Sequence, residues 1–167
     1  MKRYFFLGIS AMVCSFLCVS SSTACTGITL RTTNNDVVAA RTIEWAVDPL
    51  NTGYVIVPRG HKQQSFLPTG LQEGKKFRAK YGYVGLTVEQ PEFVMDGINE
   101  AGLAAGLFYF PGYGTYEDYD DSVKDICISD FQLVAWILGS FSTIDEVIDA
   151  LPSIRVIGID PRSSTVH

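Results

Sequence analysis

From Gly27 the chain reads as a series of short strands separated by turns and loops, and from about Ser129 the apolar positions switch to helical spacing. Gly27 to Thr32 alternates around Ile28 and Leu30, and Thr32 to Asp36 are turn formers. Val37 to Trp45 reads as a second strand and Tyr54 to Val57 as a third. The polar stretch from His61 to Lys76, with Pro68-Thr69-Gly70, reads as a loop. Tyr81 to Val88, Phe93 to Met95 and Leu103 to Phe110 read as further strands, with turns at Asp96-Gly97 and Ala101-Gly102. Tyr113 to Asp121 is an aromatic and acidic loop. Phe131, Val134, Leu138 and Phe141 then recur at helical spacing and predict a core helix over Ser129 to Ser140. Thr143 and Glu146 form a capping-box pattern for a second helix, whose face is Ile144, Val147, Ile148 and Leu151 and whose end is Pro152. Ile154 to Ile159 reads as a last strand. The order predicts an α+β domain without internal repeats or an interdomain linker. Thr165 to His167 looks like a strand cut short after three residues, against a usual length of about five, so the chain is expected to be a fragment.

The first residues follow a different pattern. Lys2 and Arg3 precede an apolar run from Tyr4 to Val19, and Ser20 to Ala24 are small. Ser22 and Ala24 occupy the −3 and −1 positions of a signal-peptidase site, so residues 1–24 read as a signal peptide cut between Ala24 and Cys25. The expected location is secreted or periplasmic, without stable membrane insertion after processing. Two alternatives remain at this point: an uncleaved anchor, and lipoprotein processing that would block the Cys25 amine. Losing residues 1–24 removes Lys2 and Arg3 but no acid, which leaves 11 basic residues against 18 acidic ones. That balance gives no footprint for nucleic acid. The small run Lys75, Lys76, Arg78 and Lys80 reads as a solvated loop.

Cysteine usage narrows the chemistry. Beyond the leader only Cys25 and Cys127 remain, too few for a disulfide scaffold. Cys127 lies in ICISDF and reads as a small buried hydrophobe. His61 and His167 stand alone, so neither a Cys–His dyad nor a metal site is expected, and no cofactor is implied. Asn99, in DGINEAG, reads as a turn residue.

Cleavage before Cys25 would put a thiol and a free α-amine on one residue, nucleophile and base together. Hairpin arithmetic then gives Cys25 its neighbours. A two-residue turn at Asn34-Asn35 sets Cys25 opposite Glu44. A three-residue loop sets it opposite Ile43, with Arg41 diagonal on the same face. Either register brings Arg41 to Trp45 alongside Cys25. The thiol has a reference pKa of about 8.5 and an adjacent cation favours the thiolate, which Arg41 can supply. Glu44 is a candidate to orient the amine. The expected reaction is acyl transfer from an amide. The rival reading is a secreted, non-enzymatic β-rich binding module, lipid-anchored at Cys25.

CTGITL at a processed terminus, RTIEW and FVMDGINEAGLAAGLFYFP together resemble the choloylglycine hydrolase family, which contains conjugated bile salt hydrolases and penicillin V acylases. The resemblance implies a cysteine N-terminal-nucleophile amidase with a four-layer αββα sandwich. It implies Cys25 as nucleophile and Arg41 as the arginine near the thiol. Glu44 stands where many members carry Asp. Tyr109 stands where many carry an oxyanion-hole Asn and penicillin V acylases can carry Tyr. Trp45 and Phe108 are the aromatic candidates for the substrate pocket. A further Asn and Arg of the family site fall beyond His167, so the chain would supply the N-terminal half, with incomplete sheets. The implied partner is a small acyl amide, and full-length members assemble as homo-oligomers.

Overall fold

The structure, a computed structural model, describes residues 25–44, 50–108 and 115–159. The leader, Trp45, Tyr109 and the short strand expected at Thr165 to His167 therefore lie outside the described residues.

The chain opens on a hairpin of β1 (Gly27–Arg31) and β2 (Val37–Arg41). Thr33, Asn34 and Asn35 form its loop. Asn35 takes a left-handed φ of 65°, which Asn tolerates because its short polar side chain bonds locally. Thr32 closes the loop from both sides: its amide donates to Asp36 O at 2.9 Å, and its hydroxyl accepts from the Asp36 amide at 3.0 Å. The three-residue loop selects one of the two registers. Gly27 pairs with Arg41 and Thr29 with Ala39, so β1 and β2 extend toward Cys25 opposite Ile43.

The main sheet is four-stranded and antiparallel, in the order β3 (Thr52–Val57), β6 (Tyr83–Val88), β7 (Val94–Asn99), β8 (Ala104–Gly106). Two departures from expectation lie here. Asp96-Gly97 is not a turn: both residues sit inside β7 and pair with Leu86 and Gly85. The stretch read as a loop from His61 to Lys76 contains β4 (Lys62–Gln64), which pairs with β5 (Lys76–Arg78) and draws part of the basic run into a strand. The register between β6 and β7 shifts at Met95, since Leu86 pairs with Asp96 but Thr87 with Val94. This bulge resets the alternation and turns Asp96 toward the face that carries Leu86, Val84 and Ile98.

One face of the sheet is covered by α1 (Asp130–Ser140). Its Val134, Ala135 and Leu138 pack with Val57, Tyr83 and Val94. Its Trp136 turns away toward Ile128, Ile154 and Phe141, so the helix is buried on both sides rather than amphipathic. Asn99 ties the sheet to the end of α1. Its Nδ2 donates to Leu138 O at 2.9 Å and Phe141 O at 2.7 Å, and its Oδ1 accepts from the amides of Ala101 and Leu103. The turn role expected of Asn99 is thus joined to helix termination. α2 (Ile144–Ala150) begins as expected, with Thr143 Oγ1 accepting from the Glu146 amide at 3.2 Å. Glu146 reaches back one residue further than a capping box requires, to the amide and hydroxyl of Ser142, and these donors hold its carboxyl below the usual range.

After α2, β10 (Arg155–Ile157) returns parallel to β9 (Cys127–Ser129). Cys127 is fully buried with Leu67 and Ile157, as the sequence suggested, and burial pushes its thiol up. No disulfide joins it to Cys25. The opposite face of the main sheet is apolar and open, with Tyr54 and Ile56 at 74% and 73% exposure beside Val84, Leu86 and Ile98.

Candidate active site

The hairpin meets the open face of the sheet along the β7–β8 edge, and a cleft of about 460 Å³ lies between them. Cys25, Gly27 and Arg41 border it from the hairpin, Asp96 from β7, Ala104 and Gly106 from β8, and Phe108 from just beyond. The three-residue loop accounts for the first three. Opposed residues of an antiparallel pair share a face, so the register that pairs Gly27 with Arg41 puts Arg41 diagonal to Cys25.

Arg41 is the best-held side chain of the cleft. Its Nη1 donates to Leu107 O at 2.6 Å and Met95 O at 3.1 Å, and its Nε donates to Thr42 O at 3.3 Å. The Phe108 ring lies 4.3 Å from the guanidinium carbon, a cation–π contact. Asp96 Oδ2 stands 3.9 Å from Nη1. These contacts anchor the hairpin to the sheet, with Ile43 packing beside Val88, Met95 and Phe131. Guanidinium cannot lose its proton at any ordinary pH, so the cleft wall carries a fixed positive charge.

Cys25 is half-buried, and its Sγ donates to Glu44 O at 3.8 Å. The Glu44 carboxylate sits at the end of a short relay: the Thr26 amide donates to Thr42 Oγ1 at 3.1 Å, and that hydroxyl donates to Glu44 Oε1 at 3.3 Å. Glu44 thus flanks Cys25 through its backbone, with its side chain fixed on Thr42.

Two residues escaped the sequence reading. Thr42 stood between Arg41 and Glu44 without drawing attention. Asp96-Gly97 carries a strong hairpin-turn signal, whereas tertiary pairing places Asp96 in a strand. Burial pushes the Asp96 carboxyl up, while Arg41 and the Gly97 amide pull it back.

The two glycines of the cleft make room for Phe108 and Asp96. A Cβ on Gly27 would lie 2.6 Å from Phe108 Cζ. One on Gly106 would lie 3.0 Å from Asp96 Oδ2 and 3.5 Å from Arg41 Nη1. Gly27→Ala is expected to push the Phe108 ring off Arg41 and destabilise the fold by about 1 kcal/mol. Urea titration checks this, and the cost should vanish when Gly27→Ala is made in a Phe108→Ala background.

Against known proteins, the family model "Linear amide C-N hydrolases, choloylglycine hydrolase family" matches residues 25–167. The chain belongs to the choloylglycine hydrolase family. It is 28% identical over 138 residues to a bile salt hydrolase/transferase of Lactiplantibacillus plantarum, covering 81% of this chain and 39% of that protein. It is 29% identical over 139 residues to a bile salt hydrolase/transferase of Clostridium perfringens, covering 81% of this chain and 40% of that one. The crystal structure of a cysteine-to-alanine mutant of the conjugated bile acid hydrolase from Clostridium perfringens superposes with a TM-score of 0.63 at 27% identity, over 85% of this chain and 41% of that one. An arginine-to-leucine variant of the same hydrolase gives 0.61 at 26% identity, over 78% and 38%. The chain therefore spans about two fifths of the length of these relatives. Its helix-covered antiparallel sheet is part of the α+β sandwich of N-terminal-nucleophile hydrolases.

Proposed function

We propose that Cys25 is the nucleophile, in a complete protein of the relatives' length, of an amidase acting on a conjugated bile salt or a penicillin V-like acyl amide, this chain alone being a truncated fragment that need not be active. The observation that carries this is the placement of Cys25 and the buried Arg41 guanidinium on one face of the hairpin, in one cleft. The reading includes cleavage between Ala24 and Cys25 in an exported protein, which frees the α-amine as base. Arg41 favours the thiolate. The thiolate attacks the amide carbonyl carbon and a C–S bond forms. The C–N bond then breaks, and the departing amine takes its proton from the Cys25 ammonium. Water adds to the thioester, the C–S bond breaks, and the free acid leaves with the thiol restored. Donors for the oxyanion are typically worth roughly 3–4 kcal/mol of barrier each, and Tyr109 is the candidate this chain offers. The cleft that Cys25 borders, about 460 Å³ and lined in part by the small Ala104 and Ala105, gives room for an acyl group.

The experiment supplies a taurine- or glycine-conjugated bile salt and, separately, penicillin V, and measures amine and free acid. Equimolar release of the two products is expected. Binding of either ligand with no release from either would favour the binding-module alternative instead.

A further inference from the structure

We propose that Asp96 is a positioning residue for the nucleophile: its carboxylate holds the Arg41 guanidinium in the cleft and so maintains the positive charge beside Cys25. This assignment rests on the reading of Cys25 as the reactive thiol.

The Arg41 side chain is only 7% exposed, so its charge is largely out of water. The carbonyls of Thr42, Met95 and Leu107 satisfy N–H donors, and the Phe108 ring covers one face. All of these are neutral groups. The carboxylate that faces the guanidinium within ion-pair distance is Asp96, at 3.9 Å and 33% exposed. A buried cation stripped of its counter-charge is strongly disfavoured and tends to swing toward solvent. Arg41 sits where β2 ends, and its swing would loosen the hairpin edge that carries Cys25.

The backbone is arranged around this pair. The bulge at Met95 puts Asp96 on the face of β7 that looks into the cleft. The same bulge residue offers its carbonyl to Arg41 Nη1. Gly106, paired with Asp96 across β7 and β8, leaves Asp96 Oδ2 and Arg41 Nη1 the space they occupy. The Gly97 amide steadies the carboxylate from its own strand. Among the described residues, the charged groups facing this pocket are Arg41 from β2, Asp96 from β7 and, beyond Thr42, Glu44.

The proposal makes an unusual sign prediction. Acting only through space, the Asp96 charge would oppose the Cys25 thiolate, so its removal would make the thiol more reactive. Acting by holding Arg41, its removal makes the thiol less reactive. The test alkylates the wild-type chain, Asp96→Asn, Arg41→Leu and the double variant with iodoacetamide across a pH series. Labelling at Cys25 is read by peptide-resolved mass spectrometry. Cys127, fully buried, should stay unlabelled in each and reports that the core is closed. Asp96→Asn is expected to slow Cys25 alkylation at neutral pH about fivefold or more and to move its pH profile upward. The slowing should disappear in the Arg41→Leu background. Faster alkylation in Asp96→Asn, or the same slowing with and without Arg41, overturns the proposal. No amide substrate enters this test. Absent turnover with coupled alkylation removes the hydrolase reading and leaves this assignment standing; Cys25-dependent turnover with uncoupled alkylation does the reverse.

Discussion

Replacing Cys25 by Ala should lower amide turnover by about a thousandfold or more while leaving the fold in place. The size follows from what is removed. A covalent route loses its attacking atom, and among the described residues nothing that borders the cleft substitutes for a thiolate: Arg41 has no lone pair to offer, and the Glu44 carboxylate accepts from Thr42. The structural cost should be small. Cys25 is half-buried and its sulfur makes a long, weak contact to Glu44 O, so the change in stability should stay within about 1 kcal/mol. Cys25→Ser keeps the shape and a hydroxyl donor but raises the pKa of the nucleophile far above neutrality, and should lose most activity as well. Steady-state release of amine, paired with urea titration of each variant, checks both halves. Turnover that survives in Cys25→Ala would remove the thiol from the mechanism.

Gly97→Val should destabilise the fold by about 3 kcal/mol or more. Gly97 lies in β7 directly under α1. A Cβ there would run into the Val84 carbonyl oxygen and come within 2.7 Å of Leu138 Cδ1 and 3.1 Å of the Gly85 Cα. Two of those three obstacles are backbone and cannot rotate aside. The helix would have to lift, and Leu138, with no exposure, is at the centre of the cluster that would open. Lifting α1 also strains the two bonds from Asn99 to Leu138 O and Phe141 O. Urea denaturation followed by far-ultraviolet circular dichroism reads the loss. Stability unchanged within about 0.5 kcal/mol would mean that α1 packs more loosely on β7 than described.

These two residues also mark what the sequence could and could not disclose. Local signals were legible. The alternation around Ile28 and Leu30, the helical spacing of Phe131, Val134 and Leu138, and Thr143 with Glu146 all describe elements whose physics is contained in a few consecutive residues. The hairpin was half legible: Asn34-Asn35 suits both a two-residue and a three-residue loop, and the choice fell to Thr32, whose amide and hydroxyl close on Asp36. The stretch Asp96-Gly97 was misread for a physical reason. Asp and Gly are chosen there by tertiary needs, a carboxylate for Arg41 and a missing Cβ for Leu138, which mimic the composition of a turn. β9, at three residues, falls below the length at which alternation carries a signal, and its parallel pairing with β10, whose strand was legible, spans the whole of α1 and α2. In the site, Cys25 and Arg41 were readable because hairpin register is arithmetic. Asp96 was not, because a bulge far along the chain decides which way it faces.

The central claim is that the Cys25 sulfur takes the acyl group. It is tested most directly by quenching the reaction with acid while a conjugated bile salt or penicillin V is turning over, then digesting the chain and weighing the Cys25 peptide. The expected result is a peptide that begins at Cys25 with an unblocked amine, carries the mass of the acyl group on sulfur, and loses it to hydroxylamine. An acyl group found on another residue, or a Cys25 whose amine is blocked by lipid or by an uncut leader while turnover continues, would contradict it.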